Sequence, residues 1–541
     1  MKFSNLRAGV AGALAGLGLM STASAAHADW LRAESERFIV YSEGSERSLR
    51  DYVRKLEMFD RVMRFRSNIS LSETPPRKLP IYLVGNRAGL LKVRTTAAPN
   101  IVGVYFPTEE DIFAVAIRRG NGDDIDGDDV LLHEYAHHFM LGNMPGAYPA
   151  WFVEGFAEYY MTAEIEENEV VLGGFNQNRA YWIMNENWIP LETLLRSHPG
   201  EIRSNSQRAT YYPIAWLLTH WFMSDPTRAG QLQAYVNDVA DGADPVQAME
   251  DATGMSLNEL RSALRRYTRE RLAATKIFGQ FPETPVTVTR LPRSANDLLL
   301  INQRLKVGVL DDDREALGRE VARIAARHGD DPLALLAAGH AGLHFGDRPA
   351  GERALLRLIE IDPNHVEALQ FLAQEKLRQA RDAEDEAQET ALKREARAYL
   401  ARAYAAGDND YQTLALLIEL RQGQPGFPND NDMLTLGLAL DRAPQLAGVR
   451  FSYASALADR DETAEAIAVL RPLTNNPHGG GASEFAGRMI AALEAGDALP
   501  GLTEEAEAAQ ISESEPEGET GDAPETAPAG EPESSPTPSS E

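Results

Sequence analysis

The sequence predicts an α+β N-terminal domain, an all-α domain of paired helices behind it, and a disordered acidic tail. Three observations lead there. Up to about residue 120, short aromatic and β-branched runs alternate with an amphipathic helical stretch. From residue 295 to about 495 the chain becomes Ala/Leu/Arg-rich, with paired helical stretches. From Leu502 to Glu541 it holds 12 Asp or Glu, no Lys or Arg and no aromatic residue, too little apolar surface to fold. At 541 residues the chain is too long for one ordinary domain. The expected units are a signal peptide over 1–28, the α+β domain over 29–280, a linker over 281–294, the helical domain over 295–497 and the tail over 498–541.

At the N-terminus, Lys2 and Arg7 precede a 13-residue apolar run, Ala8 to Met20, followed by Ala23-Ser24-Ala25 and Ala26-His27-Ala28. That order of basic, apolar and small residues marks a secretory signal peptide, with cleavage before Asp29. The apolar run falls short of the roughly 20 residues a membrane span needs, and no later stretch reaches it. The expectation is therefore an exported, periplasmic or secreted protein without a transmembrane segment.

Phe38 to Tyr41 and Leu79 to Val84 read as strands. Between them Leu49, Val53, Leu56, Phe59, Val62 and Met63 recur mostly three and four apart, predicting a helix from an N-capping Ser45 to Arg66. Ile101 to Phe106 and Ile112 to Ile117 read as a hairpin. A Gly/Asp-rich loop, Gly120 to Asp129, leads into a helix near Val130, and from there to Phe278 the pattern is mostly helical. The loop's aspartates do not match the spacing of an EF-hand, so a solvated loop is expected. Phe281 to Arg293 is Pro/Thr-rich and extended.

Composition narrows the chemistry. The net charge is -28, of which the tail carries 12 units, so a surface built to bind nucleic acid is not expected. With no cysteine, disulfides, thiolate ligands, iron–sulfur clusters and thiol nucleophiles are excluded, and any metal must be held by His and carboxylates.

Those residue types meet at Leu131-Leu132-His133-Glu134-Tyr135-Ala136-His137-His138-Phe139. On a helix, residues four apart share a face, so His133 and His137 can offer ring nitrogens to one zinc ion. Glu134, beside the first of them, can act as general base toward a zinc-bound water. A catalytic zinc needs a third protein ligand and one open position. Glu154, 17 residues after His137 in Trp151-Phe152-Val153-Glu154-Gly155-Phe156-Ala157-Glu158-Tyr159-Tyr160, supplies that ligand from a second, antiparallel helix. Glu158, one turn on, is the acceptor for the free N–H of a ligating histidine.

H-E-Y-A-H-H followed by W-F-V-E-G-F-A-E-Y-Y resembles the gluzincin zinc metallopeptidases, the peptidase MA-like group, over about residues 29 to 275. The resemblance implies a zincin-like fold, one catalytic Zn2+ held by His133, His137 and Glu154, Glu134 as catalytic base and Glu158 behind the ligands. It also implies that the Gly103-Val104-Tyr105 strand is the sheet edge along which a peptide substrate lies. Thr210 to Trp221 resembles the helix that follows the active site in exported members, with Tyr212 at the position where a tyrosine faces the metal. A phenol there could donate to an oxyanion or serve as a core aromatic, and both readings stand.

Asp331 to Asn364 is a 34-residue unit that resembles a tetratricopeptide repeat, with Gly339 at a small position of its first helix and Pro363 after its second. A weaker copy spans about Arg450 to Pro477 with Ala466 in its second helix, and irregular helix pairs occupy 366–407 and 411–446. Such arrays offer a surface to a protein partner. His138 is expected to lie off the ligand face, either behind the ligands or facing solvent, His220 to be structural, and His340, His344 and His365 to form no site. The functional expectation is an exported zinc peptidase. The alternative is a zinc-holding but catalytically silent domain in a repeat-based binding or envelope assembly factor.

Overall fold

The computed structural model describes residues 29–501 except 74, 76, 98–100, 119–128, 167, 175–176, 271, 273, 280–283, 408–409 and 477–479. The expected signal peptide, most of the Asp-rich loop and the acidic tail lie outside the described residues. The first stretch runs β1 (Trp30–Glu34), β2 (Phe38–Glu43), α1 (Glu46–Arg66), β3 (Leu79–Val84), α2 (Arg87–Val93), β4 (Gly103–Pro107), β5 (Ile112–Ile117) and α3 (Asp129–Asn143). Next come α4 (Ala150–Tyr160), β6 (Glu164–Ile165), β7 (Glu169–Leu172), α5 (Gln177–Asn185), α6 (Leu191–Arg196), α7 (Asn205–Met223), α8 (Pro226–Ala240), α9 (Pro245–Thr253), α10 (Leu257–Tyr267) and β8 (Thr275–Phe278). A final strand, β9 (Thr287–Arg290), precedes α11 (Ser294–Lys306), α12 (Asp311–Ala325), α13 (Pro332–Phe345), α14 (Arg348–Ile361), α15 (Val366–Arg381) and α16 (Glu386–Ala406). The chain then continues through α17 (Tyr411–Arg421), α18 (Asp430–Arg442), α19 (Ala447–Ala458), α20 (Thr463–Thr474) and α21 (Gly480–Ala495).

The N-terminal region is built on a six-stranded mixed sheet in the order β4-β5-β3-β2-β1-β9, with β2–β3 and β3–β5 parallel and the other pairs antiparallel. Alternation along the strands sends side chains to two cores. Phe38, Val40, Ile81, Leu83 and Ala114 face α1 and α3, whereas Tyr82, Val84, Phe113 and Val115 face α2 and α11. Ser45 caps α1 through its side chain, which accepts from Ser48 N, and the periodic apolar residues of α1 are buried as expected.

Two features were not foreseen. The extended 281–294 stretch carries β9, which pairs with β1 (Leu31 opposite Arg290) and so completes the sheet. A small second sheet, β6-β7-β8, interrupts the helical middle of the chain. β8 and β9 pair with strands far away in sequence, and β6 is only two residues long, so local periodicity carries little signal in either case.

From α11 onward the described chain is helical, and successive helices pack on their chain neighbours. Gly339 of α13 is where a Cβ would strike Leu355 of α14, and Gly342 and Gly351 let the two backbones touch, so this pair is closely packed. The helices do not stand apart from the sheet. Leu299 and Leu300 of α11 bury into its second face, and Tyr411, Leu414 and Leu446 join its main core. At the seam, buried Lys306 binds Asp111 Oδ2 at 3.0 Å and Glu367 Oε1 at 2.7 Å, and Arg77 also pairs with Asp111. Burial works against the Asp111 carboxylate, but these two cations hold it below the usual range. Among the described residues no helix is long and apolar enough to cross a membrane.

Because one face of the sheet is covered by α11, a chain ended after residue 293 should expose Trp30, Tyr82 and Phe113 and lose cooperative unfolding. The full chain should unfold with the sheet and α11 as one unit. Denaturant melts followed by tryptophan fluorescence check this.

Candidate metal centre

α3 is fixed from below before it offers anything to a ligand. Its Leu131, Ala136, Phe139 and Met140 are buried against the sheet, and Tyr135 donates to Asp60 Oδ1 at 2.6 Å. Asp60 also accepts from Arg64 Nε at 2.9 Å and pairs with Arg37 Nε at 2.8 Å, while Arg64 Nη2 donates to Asn143 Oδ1 at 2.8 Å. This buried ionic network ties α3 to α1 and sets which face of α3 turns away from the sheet. His133 and His137 lie on that face, 5% exposed each, with rings 4.7 Å apart at 83°.

α4 crosses that face. Every residue from Trp151 to Tyr160 is buried, so the helix is apolar all round apart from Glu154 and Glu158, both 0% exposed. Solvated glutamates on an amphipathic helix are therefore not what α4 holds. The helix seats deeply because Gly155 faces α7: a Cβ there would lie 2.6 Å from Ala215 O and collide with Thr219 Oγ1. Trp151 Nε1 donates to Tyr235 Oη at 2.9 Å and fixes the N-terminal end of α4.

The result is a triangle of donor atoms. His133 Nε2 and His137 Nε2 are 3.0 Å apart, and Glu154 Oε2 is 3.5 Å from each. Two ligands bonded at 2.0–2.1 Å to a tetrahedral zinc ion stand about 3.3 Å apart. Two imidazole nitrogens and one hard oxygen at these spacings, buried and convergent, fit that ion. Glu134 follows His133 on α3 and is half-buried.

Glu158 reaches His133 Nδ1 at 3.6 Å, longer than a hydrogen bond, so the expected acceptor role is reduced to an electrostatic approach. Its oxygens are taken by Arg179 of α5, which the sequence did not flag: Nε donates to Oε2 at 2.8 Å and Nη2 to Oε1 at 2.7 Å. The Arg179 guanidinium also lies 5.6 Å from the centre of the Tyr212 ring. Tyr212 is thus joined to the site through Arg179 and Glu158. Its neighbour Tyr211 is fully buried and donates to Ser197 O at 3.2 Å; burial, with the Glu154 carboxylate nearby, pushes its phenol up.

His138 points off the donor face, as expected. Its Nδ1 lies 2.9 Å from Tyr105 Oη of β4, and burial with the Arg77 and Arg64 charges lowers it to about 4, leaving it neutral. Gln445 of the helical region reaches the same Tyr105 oxygen at 3.4 Å. A cavity of about 770 Å³ opens beside His138 and Tyr135 between the sheet and α18–α20, but none of the three donor residues lines it. His220 is structural, with Nδ1 2.9 Å from Tyr267 Oη and Nε2 3.0 Å from Gly173 O. His365 caps α15, its side chain accepting from Ala368 N at 3.3 Å.

Comparison of the chain with protein-family models, with curated proteins and with solved structures finds no match.

Two substitutions test how the site is held. Arg179→Ala should strip the buried Glu158 of its guanidinium partner, costing about 3–5 kcal/mol of stability, and should weaken zinc binding, where zinc binds, about 10–100-fold. Gly155→Ala should force α4 away from α7 and lower zinc affinity while His133, His137 and Glu154 are all present. Chelator competition and thermal melts read both.

Proposed function

We propose that the chain is an exported zinc-dependent peptidase of gluzincin type, with Glu134 as general base. The convergence of His133 Nε2, His137 Nε2 and Glu154 Oε2 in one buried triangle carries this reading. Two imidazole nitrogens and one carboxylate oxygen at that spacing support a three-ligand hydrolytic zinc site, and Glu134 stands next to the first of them on the same helix.

When bound, zinc would polarise a scissile carbonyl and acidify a water molecule. The Glu134 carboxylate takes the proton of the attacking water and returns it to the leaving amine. Glu158, clamped by Arg179, orients His133 electrostatically so that Nε2 rather than Nδ1 serves as the donor. Tyr212 packs its ring against Arg179, and this contact favours a positioning role for it over oxyanion donation. β4 is one of the two edge strands of the sheet, and an extended peptide substrate lies along it. The closely packed α13–α14 pair supports the tetratricopeptide-like reading of the helical region, whose surface takes a protein partner. Export rests on the signal-like residues 1–28.

The test is paired. Wild type and Glu134→Gln should both retain stoichiometric zinc, while Glu134→Gln cleaves a peptide library about 10²–10⁴-fold more slowly. Glu154→Ala should lose the zinc held at this site together with cleavage. A zinc-loaded wild type as inert as Glu134→Gln would overturn the peptidase reading and leave the silent zinc-holding domain in its place.

A further inference from the structure

A second set of ligand-type side chains meets where the helical region joins the sheet. Glu110 lies in the turn between β4 and β5, and His340 and His344 are one turn apart on α13. The two imidazoles stand 4.8 Å apart at 78°, nearly the arrangement of His133 and His137. His340 Nε2 is 3.0 Å from Glu110 Oε2, and His344 Nε2 is 4.0 Å from Glu110 Oε1. One donor atom from each of the three residues lies within 4.8 Å of the other two.

The polar groups here are poorly served by the protein. His340 is 0% exposed, and neither of its ring nitrogens makes an aligned hydrogen bond. The same is true of Glu110 Oε2, so the 3.0 Å approach lacks hydrogen-bond geometry. Buried polar atoms in that state are costly unless another group takes their lone pairs. The nearby cations are already engaged: Lys306 by Asp111 and Glu367, and Arg348 by Glu375 at 2.7 Å. Phe371 closes one side, its ring 4.6 Å from that of His340.

We propose that Glu110, His340 and His344 form a structural site for a divalent transition-metal cation of zinc type, stapling the β4–β5 hairpin to α13. Two imidazoles and a carboxylate suit such an ion, and the side chains of Glu110 and His344, 30% and 26% exposed, leave a position open to water. The 4.0 Å gap exceeds the about 3.3 Å between two ligands on tetrahedral zinc, so His344 swings inward on binding. The ligands come from elements 230 residues apart in the chain (Glu110 and His340), so the ion binds only when the two regions are docked, and binding strengthens the docking.

The experiment uses the untagged full-length chain, stripped with a chelator and dialysed against Zn2+, with metal content measured per chain. Wild type should hold two equivalents and His340→Asn/His344→Asn one. His133→Ala/His137→Ala, which removes the α3 pair, should also hold one, and adding Glu110→Gln to it should weaken that remaining site at least tenfold. Co2+ titration gives a second readout, with visible absorption bands expected in His133→Ala/His137→Ala and absent once Glu110, His340 and His344 are also replaced. Equal zinc content in wild type and His340→Asn/His344→Asn overturns the proposal. So does a folded His133→Ala/His137→Ala chain, by circular dichroism, that binds neither Zn2+ nor Co2+. Loss of zinc from the α3 pair alone, with the second equivalent kept, would count against the peptidase reading and leave this site standing.

Discussion

Two carboxylates inside an apolar helix are the constraint on which the centre of this molecule depends. Glu154 and Glu158 lie in α4 among Trp151, Phe152, Phe156 and Tyr160, with no access to water. A charge in that position is destabilising by several kcal/mol unless it is paired. Each nearby polar group answers that demand. His133 and His137 turn toward Glu154, Arg179 forks onto Glu158, and the Tyr212 ring backs Arg179. The ionic network of Arg37, Asp60, Arg64 and Tyr135 on the far side of α3 decides which face meets α4. Gly155 decides how deep α4 can sit.

What could be read from the residues follows from this. His133, Glu134 and His137 are visible because helical spacing alone puts the two imidazoles on one face. Glu154 is visible because a carboxylate set among aromatic residues signals burial. Arg179 is not: it stands 21 residues from Glu158 in a short helix, and nothing local marks which carboxylate it will meet. Tyr105 and His138 find each other across 33 residues through the packing of α3 on β4. Glu158 was expected to serve His133 first, whereas the stronger partner in reach was a guanidinium. The pair His340 and His344 has the same four-residue spacing as His133 and His137, yet it was read as forming no site, because its carboxylate partner sits in a distant turn. Spacing within a helix is legible in one dimension, while the identity of the facing group is set by topology.

The division of the chain into a sheet region and a helical region is similarly half legible. The change in composition near residue 295 marks where strands give way to helices. It does not mark a physical gap, because α11 covers one face of the sheet and α17 to α19 enter its main core. Asp111, held between Arg77 and Lys306, lies on this shared boundary, so the hairpin that ends the sheet edge is gripped from the helical side. Any partner taken up by the helices would press on a surface continuous with β4.

The sheet also has an order of assembly written into it. β1 is the first described strand, yet its second neighbour is β9, which follows all of α3 to α10. Until residue 290 is available, β1 presents an unpaired edge, and α4, α7 and the small second sheet must find their places within a loop whose ends are not yet joined. Closing so long a loop is slow, and the exposed edge is open to pairing with other chains meanwhile. The strand that covers the open edge of β1 arrives only after the elements that carry the candidate metal centre, so those elements take their places while that edge is still free.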